Sequence, residues 1–231
     1  MNQKWHKRFG AVALAAVIAA SSSVSAGACC GLYVGSEQSA NGSTYVGRSE
    51  DIGKLYDKVF EVRPAADHAS GEMYEDTYGF SMPYPAHTYR YTVMRDSVEM
   101  GESVVDENGN LVREPYGEVG KNQNGVAMSA TGSTSNNEKA EAADPLVDTG
   151  ICEISLNSVV LMTAESARDG VEKLAKIIDT YGSGECNSFT ISDANEVWDF
   201  ETLSGHQYVA VKMPADKVSG NPIMVVMNEI D

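Results

Sequence analysis

The chain has 231 residues, is 42% hydrophobic, 22% charged and 8% aromatic, and carries a net charge of −16. These proportions exclude collagen, coiled coil and wholesale disorder, and the length is enough for one sizeable core. The acidity argues against nucleic acid or anionic membrane as main partner, because both attract clustered positive charge.

Residues 1–28 read as a secretory signal peptide. Lys4, Lys7 and Arg8 form a basic start, Phe9 to Ala20 is an apolar run, and small residues follow from Ser21 to Ala28. The run is short for a membrane span; an uncleaved anchor is the alternative. The remaining chain is expected to be exported, secreted or periplasmic, with no membrane attachment once the leader is removed. Ala26-Gly27-Ala28 offers the small residues that signal peptidase selects, and a cut after Ala28 makes Cys29 the new N-terminus. A cut after Ala26 also fits.

An N-terminal cysteine carries its own base. A free α-amine titrates near about 7.7–8.0, so it can take the thiol proton directly or through one water. No histidine is then needed. His68, His87 and His206 stand in no metal-ligand or triad motif, and His206 reads as structural. The other cysteines are Cys30, Cys152 and Cys186. A disulfide between Cys152 and Cys186 is open, whereas adjacent Cys29 and Cys30 cannot easily reach disulfide geometry. In an extended strand their side chains point to opposite faces, so one faces a site and the other packs.

Cys30 to Ser36 predicts a strand, Asn41-Gly42 a hairpin turn, and Thr44 to Ser49 the returning strand. That hairpin brings Arg48 and Asp51 back beside Cys29. Arg48 can hold a carboxylate or steady a thiolate, and Asp51 can orient the α-amine; an ordinary surface pair is the alternative. Val59 to Arg63 and Thr88 to Met94 predict further strands. Glu72 to Ala86, rich in aromatics and proline, predicts an irregular insertion of the lid or pocket-wall kind. Asp106 to Leu111 starts like a calcium loop but lacks its glycine and its final glutamate, so a simple turn is expected.

Gly125 to Ala130 predicts a buried strand, and Asn136 to Asp148 an acidic loop. Helical turns are expected near Leu156 to Met162. The clearest helix is Ser166 to Tyr181: Val171, Leu174, Ala175 and Ile178 recur on one face, Ser166 caps it and Gly182 ends it. Strands follow at Ser188 to Ser192, Val197 to Glu201 and Gln207 to Met213. This order of strands, helix and strands predicts an α+β fold of layered antiparallel sheets flanked by helices.

Three blocks resemble the dipeptidase A family of cysteine N-terminal-nucleophile hydrolases, which are related to the secernins and to the choloylglycine and penicillin V acylases. The first is Ala28-Cys29-Cys30-Gly31-Leu32-Tyr33-Val34-Gly35 with Asn41-Gly42-Ser43-Thr44 and Arg48-Ser49-Glu50-Asp51. The second is Asn124 to Thr131 with Asn137-Glu138-Lys139, and the third runs from Gly184-Glu185-Cys186-Asn187-Ser188-Phe189 through Trp198 and Glu201-Thr202 to Gly205-His206. The resemblance implies a four-layer αββα sandwich over residues 29–231, of which this chain would be the N-terminal part. It implies Cys29 as nucleophile, Arg48 and Asp51 as its supporting pair, and Asn187 as an oxyanion donor, unless Asn187 is only a strand-start residue. The expected function is a secreted cysteine dipeptidase acting on small peptides, with no cofactor and no metal, as a homo-oligomer. An N-acyl amide hydrolase of the bile-salt or penicillin V type, or a non-catalytic acidic exported domain, are the alternatives.

Overall fold

The computed structural model describes residues 29–50, 57–97, 105–109, 112–113, 115–132 and 134–221. The expected signal peptide and Asp51 lie outside the described residues. Among the described residues fourteen strands and three α-helices follow in chain order. The strands are β1 Cys30–Val34, β2 Tyr45–Ser49, β3 Lys58–Arg63, β4 Ala66–Asp67, β5 Met73–Glu75, β6 Ser81–Pro83, β7 His87–Thr88, β8 Tyr91–Asp96, β9 Gly117–Asn122 and β10 Ala127–Thr131. Then come α1 Glu138–Ala143, α2 Glu153–Leu161 and α3 Ala167–Tyr181, followed by β11 Ser188–Ser192, β12 Val197–Thr202, β13 Tyr208–Lys212 and β14 Val218–Asn221.

Seven strands form one antiparallel sheet in the order β13-β12-β11-β10-β9-β8-β3, and three form a second in the order β14-β1-β2. Residue period decides the faces of the large sheet. Val93, Met128, Ala130, Phe189, Ile191 and Phe200 are buried in the core that α2 and α3 cover. Ser129, Thr190 and Asp199 point the other way, where they border Gly31 and Tyr33 of the small sheet. The described layers are therefore helices, large sheet and small sheet, an α+β arrangement as expected.

Each helix follows from its sequence. Ser166 Oγ accepts the Asp169 amide at 3.1 Å and starts α3, and Val171, Leu174 and Ile178 bury its apolar stripe. In α2 all nine residues are buried, polar ones included, so it has no amphipathic stripe. The Asn137 side chain accepts two amides and starts α1 inside the stretch expected to be a loop. Strands β9 and β14 also appear where the sequence showed no period, and β8 lies later than the expected Thr88 to Met94. The 72–86 insertion is ordered as the β5–β6 hairpin. Buried Asp76 receives the Tyr78 and Phe80 amides, and Ser155 Oγ of α2 donates to it at 2.7 Å.

His206 is structural, as expected. Asp144 receives its backbone amide at 2.6 Å, its Nδ1 at 2.9 Å and the Ser204 hydroxyl at 2.7 Å. The His206 contact holds the Asp144 carboxyl down at about 2.

Asn122 ties the large sheet to α2 with every side-chain bond filled. Its Nδ2 donates to the Leu161 and Ala164 carbonyls at 2.9 and 2.7 Å, and its Oδ1 accepts the Asn124 and Val126 amides, each at 3.0 Å. Asn122→Ala would strand the Leu161 carbonyl and the buried Val126 amide. It is expected to lower stability by about 2–4 kcal/mol in urea titrations.

Candidate active site

Cys29 immediately precedes β1, whose pairing with β2 sets Cys30 opposite Ser49 and Gly31 opposite Arg48. One step further sets Cys29 opposite Glu50. Opposed residues share a face and alternate residues return to it. Cys29, Gly31, Arg48 and Glu50 therefore point inward from the small sheet, and Cys30 points outward. Burial agrees: Cys29 is buried and Cys30 exposed, so Cys30 does not pack. Asn221 of β14 lies opposite Gly31 on the other side of β1.

Arg48 is buried, with 9% of its side chain exposed, and its neighbours are carboxylates from the large sheet and from α2. Its Nη2 lies 3.5 Å from Glu153 Oε1 and its Nη1 lies 3.9 Å from Glu118 Oε2. This is no surface pair. Glu118 owes its position to a β-bulge: Met94 pairs with Val119 and Arg95 with Gly117, leaving Glu118 as the extra residue. Glu153 opens α2, and the Tyr116 hydroxyl donates to its Oε2 at 2.6 Å. Tyr78, on the insertion, meets the Tyr116 ring edge-on, so the insertion reaches the site as a wall.

Lys58 closes the other end. Its Nζ contacts Glu50 at 2.7 Å and also holds Asp96 and Glu118. These three carboxylates have oxygens within 4.8 Å of one another, the spacing of a cation site, and the lysine ammonium contacts all three. Across the whole cluster four carboxylates (Glu50, Asp96, Glu118, Glu153) meet two cations, Lys58 and Arg48. Protons make up part of the deficit. Burial lifts Glu118 to about 8 against the pull of Lys58, and burial also raises Glu153 against Tyr116 and Arg48. For Lys58, burial works downward, but the bonds to Asp96, Glu118 and Glu50 raise its pKa overall.

Asn187 precedes β11 and is fully buried. Its backbone is pinned to Thr202, donating to Oγ1 at 2.7 Å and accepting the Thr202 amide at 2.9 Å. Its side-chain Oδ1 and Nδ2 have no hydrogen-bond partner. Glu153 and Asn187 flank Gly132, where a β-carbon would stand 3.6 Å from Glu153 Oε2 and 3.9 Å from Asn187 Oδ1. Between the sheets a cavity of about 40 Å³ is bordered by Gly31, Tyr33, Ser129, Thr190 and Asp199, and burial raises the Asp199 carboxyl. Cys152 and Cys186 are both thiols, and burial pushes Cys152 up to about 12 and Cys186 above the ordinary thiol range.

Residues 28–231 match Peptidase family C69. The chain belongs to that family. The resemblance to the dipeptidases is thereby borne out. The C69 chain is 40% identical over 205 residues to "Probable dipeptidase B" of Streptococcus pyogenes serotype M3, covering 88% of this chain and 39% of that protein. It is 41% identical over 197 residues to "Probable dipeptidase" of Salmonella dublin, covering 84% and 43%. It thus spans about two fifths of the length of these curated relatives. Among solved structures, a penicillin V acylase from Agrobacterium tumefaciens aligns at 16% identity with a TM-score of 0.44, over 80% of this chain and 49% of that one.

The C69 site contains groups that sequence reasoning missed, Glu118 and Glu153 foremost, with Lys58, Asp96 and Tyr116 around them. The two glutamates sit in a polar strand and a helix start, where solvent exposure is the ordinary reading. The charge deficit sets two expectations. Arg48→Met removes the cation beside Glu153 and leaves Glu118 to Lys58 alone, and is expected to cost about 3–5 kcal/mol in urea. Glu118, with a folded pKa raised from 4.5 to about 8, stabilises fully below about pH 4.5, and that contribution fades as pH rises to about 8. Glu118→Gln should flatten this decline in denaturation midpoints measured across that range.

Proposed function

We propose that this chain carries the nucleophile of an exported cysteine dipeptidase. Cleavage after Ala28 leaves Cys29 at the N-terminus, and the family match, which begins at residue 28, supports that boundary. The observation that carries the reading is Cys29 on the inward face beside Arg48, within a buried charged cluster that no core needs for packing. The free α-amine takes the Cys29 proton, and Sγ attacks the scissile carbonyl. The ammonium then returns the proton to the leaving amine, and water releases the acid from the thioester. Arg48 steadies the thiolate, Asp51 orients the amine, and Asn187 Nδ2 donates to the oxyanion, worth about 3–4 kcal/mol of barrier. The names of the relatives support a dipeptide as substrate.

The fold of the complete enzyme is read as a four-layer αββα sandwich. Leu32 and Tyr45 stand half exposed on the outer face of the small sheet, where a second helical layer would cover them.

N-terminal sequencing of the exported protein is expected to begin at Cys29. Cys29→Ala is expected to lower dipeptide hydrolysis by at least about a thousandfold, against a much smaller change for Cys30→Ala. A Cys29→Ala enzyme that keeps full turnover on a dipeptide panel would remove the proposed nucleophile.

A further inference from the structure

Most buried polar groups in this protein are fully bonded, Asn122 and Asp76 among them. Among the described residues five of the exceptions gather in one place. Asn187 Oδ1 and Nδ2, Glu153 Oε1, and Arg48 Nε and Nη2 are all buried and all without a hydrogen-bond partner. A buried polar atom left unbonded costs about 1–3 kcal/mol. Arg48 Nη2 and Glu153 Oε1 face each other at 3.5 Å, so the Asn187 carboxamide, with both its atoms unbonded, is the group that calls most directly for a ligand. Asn187 is 0% exposed and Glu153 6% exposed, and both flank Gly132, whose missing side chain leaves room between them.

The charges around the site specify the ligand. Asn187 Oδ1 accepts and has no donor, and Glu153 Oε1 faces Arg48 Nη2 at 3.5 Å without a hydrogen bond. Among the described residues the carboxylates outnumber the cations, and Lys58 contacts the Glu50, Asp96 and Glu118 end. The Glu153 end has Arg48 alone, shared with Glu118, and Glu185 Oε1 lies behind it on the Glu153 amide. The missing group is therefore a cation that donates hydrogen bonds. Asn187 Nδ2 sits on the same carboxamide and wants an acceptor close to that cation. An ammonium with a carbonyl oxygen one carbon away meets both demands, and that is the first residue of a peptide.

We propose that Glu153 and Asn187 form the subsite that receives the free α-ammonium of the substrate, with Glu153 as its counter-charge. The proposal rests on the dipeptidase reading and deepens it. An acylated amine offers neither the charge nor the spare donors, so the subsite selects unblocked peptides over N-acyl amides. Tyr116 donates to Glu153 Oε2, the oxygen beside Gly132, and so fixes the carboxylate next to Asn187, while Oε1 faces Arg48.

The test uses the purified full chain with Cys29→Ala, so that bound peptide is not consumed. Calorimetric titration compares alanyl-alanine with N-acetyl-alanyl-alanine and with propionyl-alanine, which lacks only the amine. The free-amine dipeptide is expected to bind about 10- to 100-fold more tightly than either, the worth of hydrogen bonds to a charged group. Glu153→Gln on the same background is expected to erase that preference, weakening the dipeptide and leaving the two analogues unchanged. Equal binding of the three ligands, no binding of the dipeptide, or a preference that survives Glu153→Gln each overturns the subsite. The ligand series leaves Glu153 intact, so it decides the matter even where the variant does not fold. Hydrolysis that persists in Cys29→Ala, with the amine preference intact, overturns the nucleophile and leaves the subsite. Hydrolysis lost with Cys29, with equal binding of all three ligands, overturns the subsite and leaves the nucleophile.

Discussion

One guanidinium joins the parts of this molecule. Arg48 reaches from the small sheet into a crevice between a bulge of the large sheet and the first turn of α2, and it lies within 4 Å of an acid from each. A charge this buried is stable only with opposite charge beside it. The Arg48 position therefore fixes how the Cys29 strand lies over the layer beneath. It also places the cysteine beside a field of acids that its own strand does not supply.

Two kinds of buried polar group can be told apart here. Asn122 and Asp76 bind their neighbours completely, one tying a hairpin to the end of α2 and the other pinning the 73–83 hairpin to its middle. Such groups specify the fold. Asn187 and Glu153 are also buried but leave atoms without a hydrogen bond; Glu153 Oε1 lies 3.5 Å from Arg48, and Asn187 stands across Gly132 from Glu153. A fold under selection for stability alone would not keep them so. The excess of acids over bases at the same place, visible in the raised Glu118 and Glu153 carboxyls, points in the same direction.

Local signals were legible where they were strong. The β1–β2 hairpin, the helix capped by Ser166 and the three strands between Ser188 and Met213 stand where period and turn residues put them. The Asn41-Gly42 turn is present, with Gly42 at a φ of 71°, although a short 3₁₀ turn at Ser36–Gln38 lengthens the loop. Strand β9 was not legible, because Gly-Glu-Val-Gly-Lys-Asn has no alternation and its bulge breaks what period there is. Nor was α2 fully so, since a helix buried on every side carries no stripe to read. The 72–86 segment looked irregular because its order comes from Asp76 and Ser155, seventy-nine positions apart.

The sequence by itself determined the short hairpin that returns Arg48 toward Cys29, and the family. These are contiguous features, and neighbouring residues are enough to specify them. Only the tertiary structure decided that Arg48 is buried between Glu118 and Glu153, that Lys58 gathers three acids, and that Asn187 is left unbonded beside them. Each of those facts joins residues far apart in the chain, and burial, which sets the energy of every charge among them, exists only once the layers have packed.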